Sequence, residues 1–503
     1  MTHLAGRVPE LITRSVVAAA GGEWALAGTP AGTPVQPGGL SLVALLPRES
    51  PALAELEGDR EEHAGRVLVA GPTSPRNAAA LRCFLPWLAP APVGLRTSAG
   101  FGDRLGLATP GHVRALRAAA PRVAPIFAQQ SIREMTRTGR TPRQVLDEAT
   151  WGAFEEGWTE GVGADADHLK TPGEIDDCLR AGFTLFTLDP GAFVDASAAS
   201  ADRETLARAL ERVPWDRLDT SLRSLVARYV GQPFDVEGLH VAFDEDTVAR
   251  AAVKYGAAVA HVAALHRHLH DEAGGRGFEV EVSVDETDEP TSHAEHVFVA
   301  AELRRLGVTW VSLAPRFVGR FEKGVDYIGD LEAFGRHLEG HAAIARALGP
   351  YKLSLLSGSD KFSIYDAVAR ETRGLVHLKT AGTSYLEALR VVGVVDPELF
   401  REIYWFACGR YAEDRASYHV SADAGRAAAA LETCGEPKAV LDDFDARQVL
   451  HVTFGSVLTA KDERGTPRFA PRIRSLLAAH PDKYAAALER HFARHLAPFS
   501  VTA

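Results

Sequence analysis

The sequence predicts an α/β fold: a closed (β/α)8 barrel of the TIM type with an N-terminal extension and a helical C-terminal extension. Between residues 93 and 384, eight short apolar stretches each end in glycine or in polar or ionisable residues, and helical segments lie between them. Strand and helix repeated in this way are typical of a closed barrel. A doubly wound open sheet stays the alternative, because strand number alone does not exclude it.

The candidate strands share an apolar body and a polar carboxyl end. They cover residues 93–106, 123–134, 159–170, 183–191, 278–288, 309–317, 351–361 and 375–384. Helices are predicted over residues 111–119, 173–181, 294–305, 330–348 and 384–392. Thr171, followed by Pro172 and then by Glu174, has the pattern of a helix N-terminus with a capping box.

In a barrel, the carboxyl ends of the strands meet on one face, and active sites lie there. Polar residues at these ends are therefore candidate substrate-binding groups: Ser131, Thr187, Arg316, Ser357 and Lys379. Two further polar residues are interpreted as structural. Asp189 precedes a proline and is assigned to a turn, and Lys361 is assigned to a helix cap.

The chain divides into three parts. Residues 1–92 form an N-terminal α/β cap or packing unit, residues 93–394 the catalytic barrel, and residues 395–503 a mostly helical C-terminal extension. The barrel contains a helical insertion at residues 192–277.

Two segments outside the predicted strands carry histidines or other polar groups. A helix predicted over residues 253–272 contains His266 and His270, which we expect on a solvated face rather than in a metal site. Residues 411–421 are interpreted either as a solvated helix leading into an extended segment or as a segment folded over the barrel mouth. In the second case they would offer Arg415 or His419 to a ligand.

Composition restricts the class of protein. The 503 residues carry a formal net charge of −11 with basic residues dispersed, which argues against nucleic-acid binding. No apolar run reaches about 18 residues and no signal pattern is present, so we expect no membrane association. Four widely separated cysteines fit reduced thiols in a cytoplasmic protein. The sequence contains no Walker-type phosphate loop and no HExxH motif. Whether the chain forms a homo-oligomer stays open.

The third candidate strand carries the densest group of ionisable residues, Asp165, Asp167, His168 and Lys170. Aspartate and lysine can exchange protons, and histidine can hold a metal. The alternative is a polar, solvated loop. Because this group ends a strand and precedes a helix, it fits a catalytic position in a barrel.

Two further strands place ionisable residues on one face. Glu281 lies in mid-strand and is our preferred acid or base, with a buried salt bridge as the alternative. His377 and Lys379 share a face of the last strand, where His377 is either a ligand or a hydrogen-bonded core group. His168 and His377, with Glu281 or Asp360 as the carboxylate, would form an ordinary site for a divalent metal.

Several stretches together resemble the tagaturonate epimerase family, and the resemblance spans most of residues 95–425. They are AQQSIRE, GADADHLKTP, SVDETDEPT, SLAPRFVGRFEKGVDYIGD, SGSDKFS, VHLKTAGTSYLEALR and DRASYHVSA. The resemblance implies interconversion of tagaturonate and fructuronate, a small sugar or sugar acid as partner, and a divalent metal cofactor. It does not distinguish Zn, Mn, Ni and Co. It also implies Asp167 as proton acceptor, His168 as metal ligand and Glu281 as partner acid.

The inverted carbon in this reaction lies beta to the ketone, which favours a retro-aldol and aldol route over a single enolisation. Lys170 would return a proton or, alternatively, form a Schiff base. Leu356 departs from the family pattern, in which relatives often carry histidine. This leucine keeps open a neutral ketohexose 4-epimerase (fructose and tagatose) or an aldolase on the same fold. A non-catalytic sugar-acid binding protein is the remaining alternative.

Overall fold

The structure is a computed structural model that describes residues 3–4, 6–28, 39–285, 287, 289–380 and 382–500. Its strands, in chain order, are β1 (Val17–Ala19), β2 (Gly22–Gly28), β3 (Leu40–Pro47), β4 (Asp59–His63), β5 (Arg66–Pro72), β6 (Ser98–Gly100), β7 (Ala124–Ser131), β8 (Gly163–Leu169), β9 (Leu185–Leu188), β10 (Phe234–Val236), β11 (Leu239–Val241), β12 (Glu279–Ser283), β13 (Ser312–Ala314), β14 (Lys352–Leu355) and β15 (Val376–Lys379).

The helices follow the same order. They are α1 (Ala52–Glu55), α2 (Pro75–Phe84), α3 (Thr109–Ala119), α4 (Ile132–Thr138), α5 (Pro142–Glu155), α6 (Pro172–Ala181), α7 (Arg203–Leu210), α8 (Trp215–Leu218), α9 (Leu222–Tyr229), α10 (Glu245–Ala273), α11 (His293–Arg305), α12 (Leu331–Ala347), α13 (Tyr365–Thr372), α14 (Thr383–Val395), α15 (Pro397–Asp414), α16 (Ala424–Cys434), α17 (Pro437–Val440), α18 (Phe444–Val452), α19 (Phe454–Thr459), α20 (Ala470–Ala479) and α21 (Pro481–Leu496).

The predicted barrel is confirmed. Eight strands close in the order β12-β13-β14-β15-β6-β7-β8-β9, and every neighbouring pair is parallel. Each of these strands falls inside one of the eight stretches predicted from sequence. All eight residues of β7 are buried, as expected for a parallel strand covered by helices on one side and by the barrel interior on the other. Glu286 and Asp288, which belong to the predicted strand 278–288, lie outside the described residues.

Helix α6 begins as the sequence predicts. The Thr171 hydroxyl accepts a hydrogen bond from the Glu174 amide, and the Glu174 carboxylate accepts one from the Thr171 amide. This capping box satisfies two backbone donors that the first turn of a helix leaves without intrahelical partners. It fixes the direction in which the chain leaves β8, the strand that carries Asp167 and His168.

The N-terminal residues form a five-stranded antiparallel sheet in the order β1-β2-β3-β5-β4. Alternation places Trp24 and Leu26 of β2 on the face that joins the main hydrophobic core. Ala25 and Ala27, on the other face, belong to a small second cluster with Leu4. The sheet therefore packs on the outside of the barrel, and the predicted domain boundaries stay a prediction.

The insertion between β9 and β12 contains α7 to α10 and the hairpin of β10 and β11. Helix α10 begins at Glu245, earlier than predicted, because Asp244 caps it by accepting from the Thr247 amide. The helix is long and apolar enough to cross a membrane, yet 78% of its apolar window is buried inside the protein. The expectation of a solvated histidine face is wrong for His266, which is 8% exposed and hydrogen-bonded to Thr309.

The C-terminal extension completes the outer layer of the barrel. Helix α21 packs between α3 and α14, which follow the first and last barrel strands. Gly111 of α3 allows this approach, because a Cβ atom there would lie 2.5 Å from the Leu488 Cβ of α21. The Phe492 ring of α21 is fully buried against Phe101 and His112, with ring centroids 5.6 and 4.7 Å away.

We expect the substitution Phe492→Ala to lower the free energy of unfolding by about 3–5 kcal/mol, because it removes a fully buried ring and leaves a cavity. Urea denaturation of the full chain measures this change. Phe444→Ala is the matched control, since Phe444 is 38% exposed. A loss no larger than that of the control would contradict the role of α21 in the barrel core.

Candidate active site

One ammonium group lies among three carboxylates inside the barrel. The Lys379 Nζ atom, from β15, lies 2.9 Å from Asp165, 2.7 Å from Asp167 and 2.8 Å from Glu281. It also donates to the Thr187 hydroxyl at 2.7 Å. These residues come from β8, β9, β12 and β15, which converge as expected. Four of them are predicted site residues, and Asp165 is the fifth member of the group.

Lys379, Asp167 and Glu281 stabilise each other's charged forms. Burial lowers the pKa of Lys379, but the three carboxylates outweigh it and raise that pKa well above its usual value. Burial raises the pKa of Asp167, yet the positive charges of His168 and Lys379 bring it down to about 2. The pKa of Glu281 is likewise lowered, since Lys379 and His377 overcome the effect of burial. Asp167 and Glu281 are therefore carboxylates at neutral pH.

A second polar layer lies next to the first. The Lys352 ammonium donates to the Ser98 hydroxyl at 2.9 Å, and that hydroxyl lies 2.9 Å from the His377 Nδ1 atom. The other ring nitrogen of His377 is 3.9 Å from Asp165. Burial lowers the pKa of Lys352 to about 8 against the opposing effect of Glu279 and Glu281. Of the two interpretations of His377, the hydrogen-bonded core group describes these contacts.

Asp189 orients both ionisable residues that follow Asp167. One of its oxygens lies 3.1 Å from His168 Nδ1 and 3.1 Å from the Lys170 ammonium, while the other accepts from the Gly191 amide. The sequence predicted the turn at Asp189 but not its ion pairs. A turn motif accounts for the oxygen that accepts from the backbone and does not reveal what the other carboxylate oxygen contacts. His168 has a φ of 55°, a left-handed conformation that directs its ring toward Asp167, with Nε2 3.8 Å from that carboxylate.

The predicted metal ligands are not all brought together. Asp360 lies outside the barrel interior, where it pairs with Arg447 of α18 and with His491 of α21, at 3.1 and 3.2 Å. Among the described residues, the groups of three with ligand atoms close enough to share a metal include neither His168 nor His377. His168 is the predicted ligand that lies at the mouth, with its Nε2 atom 3.8 Å from Oδ1 of Asp167, the predicted proton acceptor.

Lys323 is a residue of the mouth that the sequence did not single out. It lies in the loop between β13 and α12, and its ammonium donates to the Ser357 hydroxyl at 2.7 Å. Burial and the charge of Arg133 lower the pKa of Lys323, while Asp167 and Asp285 oppose this effect. Its position depends on Lys361, which donates to three loop carbonyls rather than capping a helix.

The remaining candidate substrate-binding residues lie around the same mouth. Ser131 caps α4 by accepting from the Glu134 amide. The Arg316 backbone pairs with Thr291, which joins the loops that follow β13 and β12. Asp167 receives a further hydrogen bond from Gln129, at 3.0 Å, another group that the sequence did not single out.

The segment after α15 contacts the loops at the mouth. The Tyr418 hydroxyl accepts from Arg137, and the Arg133 guanidinium lies over the Tyr418 ring. The amide and hydroxyl of Ser421 donate to Glu322, which neighbours Lys323. The segment therefore lies against the mouth, where Tyr418 contacts α4, and the assignment of Arg415 or His419 to a ligand stays a prediction.

We expect Lys379→Met to destabilise the protein by about 3–5 kcal/mol, because it leaves ionised carboxylates buried without their partner. The stability of the wild type and that of the variant should change with pH in opposite directions. In the wild type the lowered pKa of Asp167 gives stability that is present above the usual carboxyl range and lost as pH falls toward 2. In the variant, burial raises the carboxyl pKa values, so stability is lost as pH rises.

The difference in unfolding free energy between Lys379→Met and wild type should therefore shrink from pH 8 to pH 5. Urea denaturation at both pH values measures it, with Lys438→Met, at a half-exposed lysine, as control. An equal loss at both pH values would argue against charge compensation by Lys379.

Comparison with known proteins places the chain in a family. Residues 45–499 match the model of a family described as tagaturonate epimerase. The chain is 46% identical to a tagaturonate/fructuronate epimerase of Thermotoga maritima over 421 residues, which cover 84% of each protein. The crystal structure of a fructuronate-tagaturonate epimerase from Cohnella laeviribosi with glycerol superposes with a TM-score of 0.88 at 37% identity, covering 99% of this chain and 97% of the other. The native crystal structure of that enzyme gives the same values. This chain therefore belongs to the tagaturonate epimerase family and is an isomerase.

Proposed function

We propose that this enzyme interconverts tagaturonate and fructuronate by a retro-aldol and aldol reaction at the barrel mouth. The named activity of the similar proteins supports the choice of substrate. One observation carries the chemistry: an ionised carboxylate, Asp167, lies between the Lys379 ammonium and the His168 ring. A base and fixed positive charge are what cleavage next to a ketone requires.

The reaction preserves all atoms. Asp167 removes the proton from the hydroxyl on the carbon beta to the ketone. The bond between that carbon and the alpha carbon then breaks, which leaves an aldehyde and an enediolate. The aldehyde turns, the alpha carbon attacks its other face, and the proton returns to the new alkoxide. The only net change is inversion at the beta carbon.

Charge redistribution would make Asp167 a stronger base during this step. Its resting pKa of about 2 results from the nearby positive charges of His168 and Lys379. As negative charge develops on the substrate, Lys379 interacts with that charge as well, so the pKa of Asp167 rises in the transition state. Glu281 is fully buried beside Lys379 and ionised, so its contribution at rest is to keep Lys379 protonated.

Lys170 fits proton return better than Schiff-base formation. Its side chain is 47% exposed and its ammonium pairs with Asp189 at 3.1 Å. A lysine that forms a Schiff base must lose its proton readily, which requires a desolvated site or a neighbouring cation. An exposed lysine beside a carboxylate lacks both features.

A divalent metal would be held by His168 Nε2, whereas the nearby Asp167 Oδ1, 3.8 Å away, is already paired with Lys379. Asp189 accepts from the opposite nitrogen of the ring, the arrangement that orients a histidine ligand. When bound, such a metal supplies positive charge to substrate oxygens. A histidine ligand does not distinguish Zn, Mn, Ni and Co.

The carboxylate of a uronate would bind to Lys323. This half-buried ammonium lies at the mouth near Arg133, and its hydrogen-bond partner, Ser357, is a neutral hydroxyl rather than a carboxylate. A substrate carboxylate would therefore pair with a cation already in place. The buried, apolar Leu356 next to Ser357 leaves less polar contact for the substrate on this side.

We expect the purified full chain to convert tagaturonate to fructuronate, and Asp167→Asn to lower kcat by about 10²–10⁴-fold, because it removes the base. Asp177→Asn, at an exposed position on α6, is the control. Assays with and without chelator measure the contribution of a metal. Full activity of Asp167→Asn would contradict the assignment, and turnover of tagatose without the uronate would favour the ketohexose alternative. Binding of the uronate without turnover would favour the non-catalytic alternative.

We expect Lys323→Met to reduce kcat/KM for tagaturonate by about 10- to 100-fold, the usual effect of losing a hydrogen bond to a charged group. Any turnover of tagatose, which has no carboxylate, should change less. Lys438→Met serves as the control. An equal effect on both substrates would assign Lys323 to the fold of the loop instead.

A further inference from the structure

A cluster of histidines lies between α11 and α12, on the outer side of the barrel. His337 and His341 are one turn apart on α12, and His293 is the first residue of α11. One ring nitrogen from each lies within 4.8 Å of the others. These three histidines take no part in the proposed reaction.

We propose that His293, His337 and His341 bind a divalent transition metal that ties together two loops of the barrel mouth. Three imidazoles, two of them at positions i and i+4 of one helix, form a donor set suited to zinc, nickel or copper. The proposal does not rest on the proposed epimerase function.

The spacing of the ring nitrogens fits a shared ion. The Nε2 atoms of His337 and His341 are 3.3 Å apart. Ligands at about 2.0–2.1 Å from a tetrahedral zinc are separated by about 3.3–3.4 Å. These two atoms of α12 are therefore already near the separation that a metal imposes, and the packing of α11 against α12 brings His293 to them.

The surroundings of His341 provide the outer contacts of a metal ligand. Its Nδ1 atom lies 2.8 Å from His296 Nδ1, and the opposite nitrogen of His296 lies 2.8 Å from the Tyr351 hydroxyl. If Nε2 of His341 binds the metal, Nδ1 carries the proton and donates it to His296, which donates in turn to Tyr351. Such a relay orients a ligand ring and raises its basicity.

The protonation state and accessibility of the cluster also fit metal binding. Burial, reinforced by the neighbouring histidines, lowers the pKa of His341 well below its usual value, and burial lowers that of His337 to about 4. Both rings are neutral at pH 7, the form that binds a metal. His341 is buried, whereas His293 and His337 are half-buried, which leaves a route from solvent.

The cluster is connected to the mouth through Thr291. The Thr291 carbonyl accepts from Nε2 of both His337 and His341, at 3.1 Å each. When a metal replaces those two protons, this oxygen lies where it can serve as a further ligand. The amide of Thr291 donates to the Arg316 carbonyl, and its hydroxyl accepts from the Arg316 amide. A metal here would therefore hold the loop after β12 against the loop after β13, which leads to Lys323.

The test uses the full chain, stripped with chelator and dialysed against buffered Zn²⁺ or Co²⁺. Metal content per chain, the visible spectrum of bound Co²⁺ and the melting temperature are measured. His293→Gln and His337→Gln should each bind one equivalent less than wild type, with affinity at least about 100-fold weaker, and lose the metal-dependent rise in melting temperature. His268→Gln, which replaces a half-buried histidine bonded to Asp176, should behave as wild type.

His168→Gln separates this site from a metal in the barrel, because it should keep the equivalent that the cluster binds. Circular dichroism checks that each variant folds. Wild-type metal content and affinity in both cluster variants would overturn the proposal. A His168→Gln protein that binds no zinc would also overturn it, whether or not the cluster variants fold.

Discussion

The interaction of Lys379 with Asp165, Asp167 and Glu281 is the constraint on which the rest of the barrel depends. In the closed order, β15 is separated from β8 by β6 and β7 and from β12 by β13 and β14, so these ion pairs cross the interior. Barrel interiors are usually filled by branched apolar side chains. Here Asp167 and Glu281 stay ionised because nearby positive charges, that of Lys379 among them, offset their desolvation. A charged centre of this kind is less favourable for stability than an apolar one, but it places an ionised carboxylate and a cation at the carboxyl ends of the strands.

The sequence predicted the strands well because each strand is short, buried on both sides and bounded by turn residues. The same pattern located the charged face of β12 and β15, since alternation fixes which side chains share a face. The ends of the helices were predicted less accurately. Helix α10 begins at Glu245 because the side chain of Asp244 caps it, which the apolar pattern does not reveal. The histidines of α10 looked solvated, but tertiary packing buries His266.

The site was harder to predict, because alternation gives the face of a residue but not its depth or the course of a loop. His168 and His377 share the barrel, yet His377 is held by Ser98 while His168 faces the mouth. Asp360 lies in a chain reversal after β14, where both Ser357 and Asp360 have positive φ. Its carboxylate is therefore directed to α18 and α21. Lys323 lies in a loop without periodicity, so only the structure brings it to Asp167.

The position of Lys323 depends on contacts between its loop and the C-terminal extension. The neighbouring Glu322 is almost fully buried and accepts hydrogen bonds from Ser421 and from Gln448 of α18. Its backbone carbonyl accepts from Lys361, whose pKa is lowered to about 7 by burial. A buried carboxylate requires such partners, so the loop is fixed from one side by the extension and from the other by the loop after β14. The position of Lys323, the cation that we propose binds the substrate carboxylate, thus depends on helices that follow the last barrel strand in the chain.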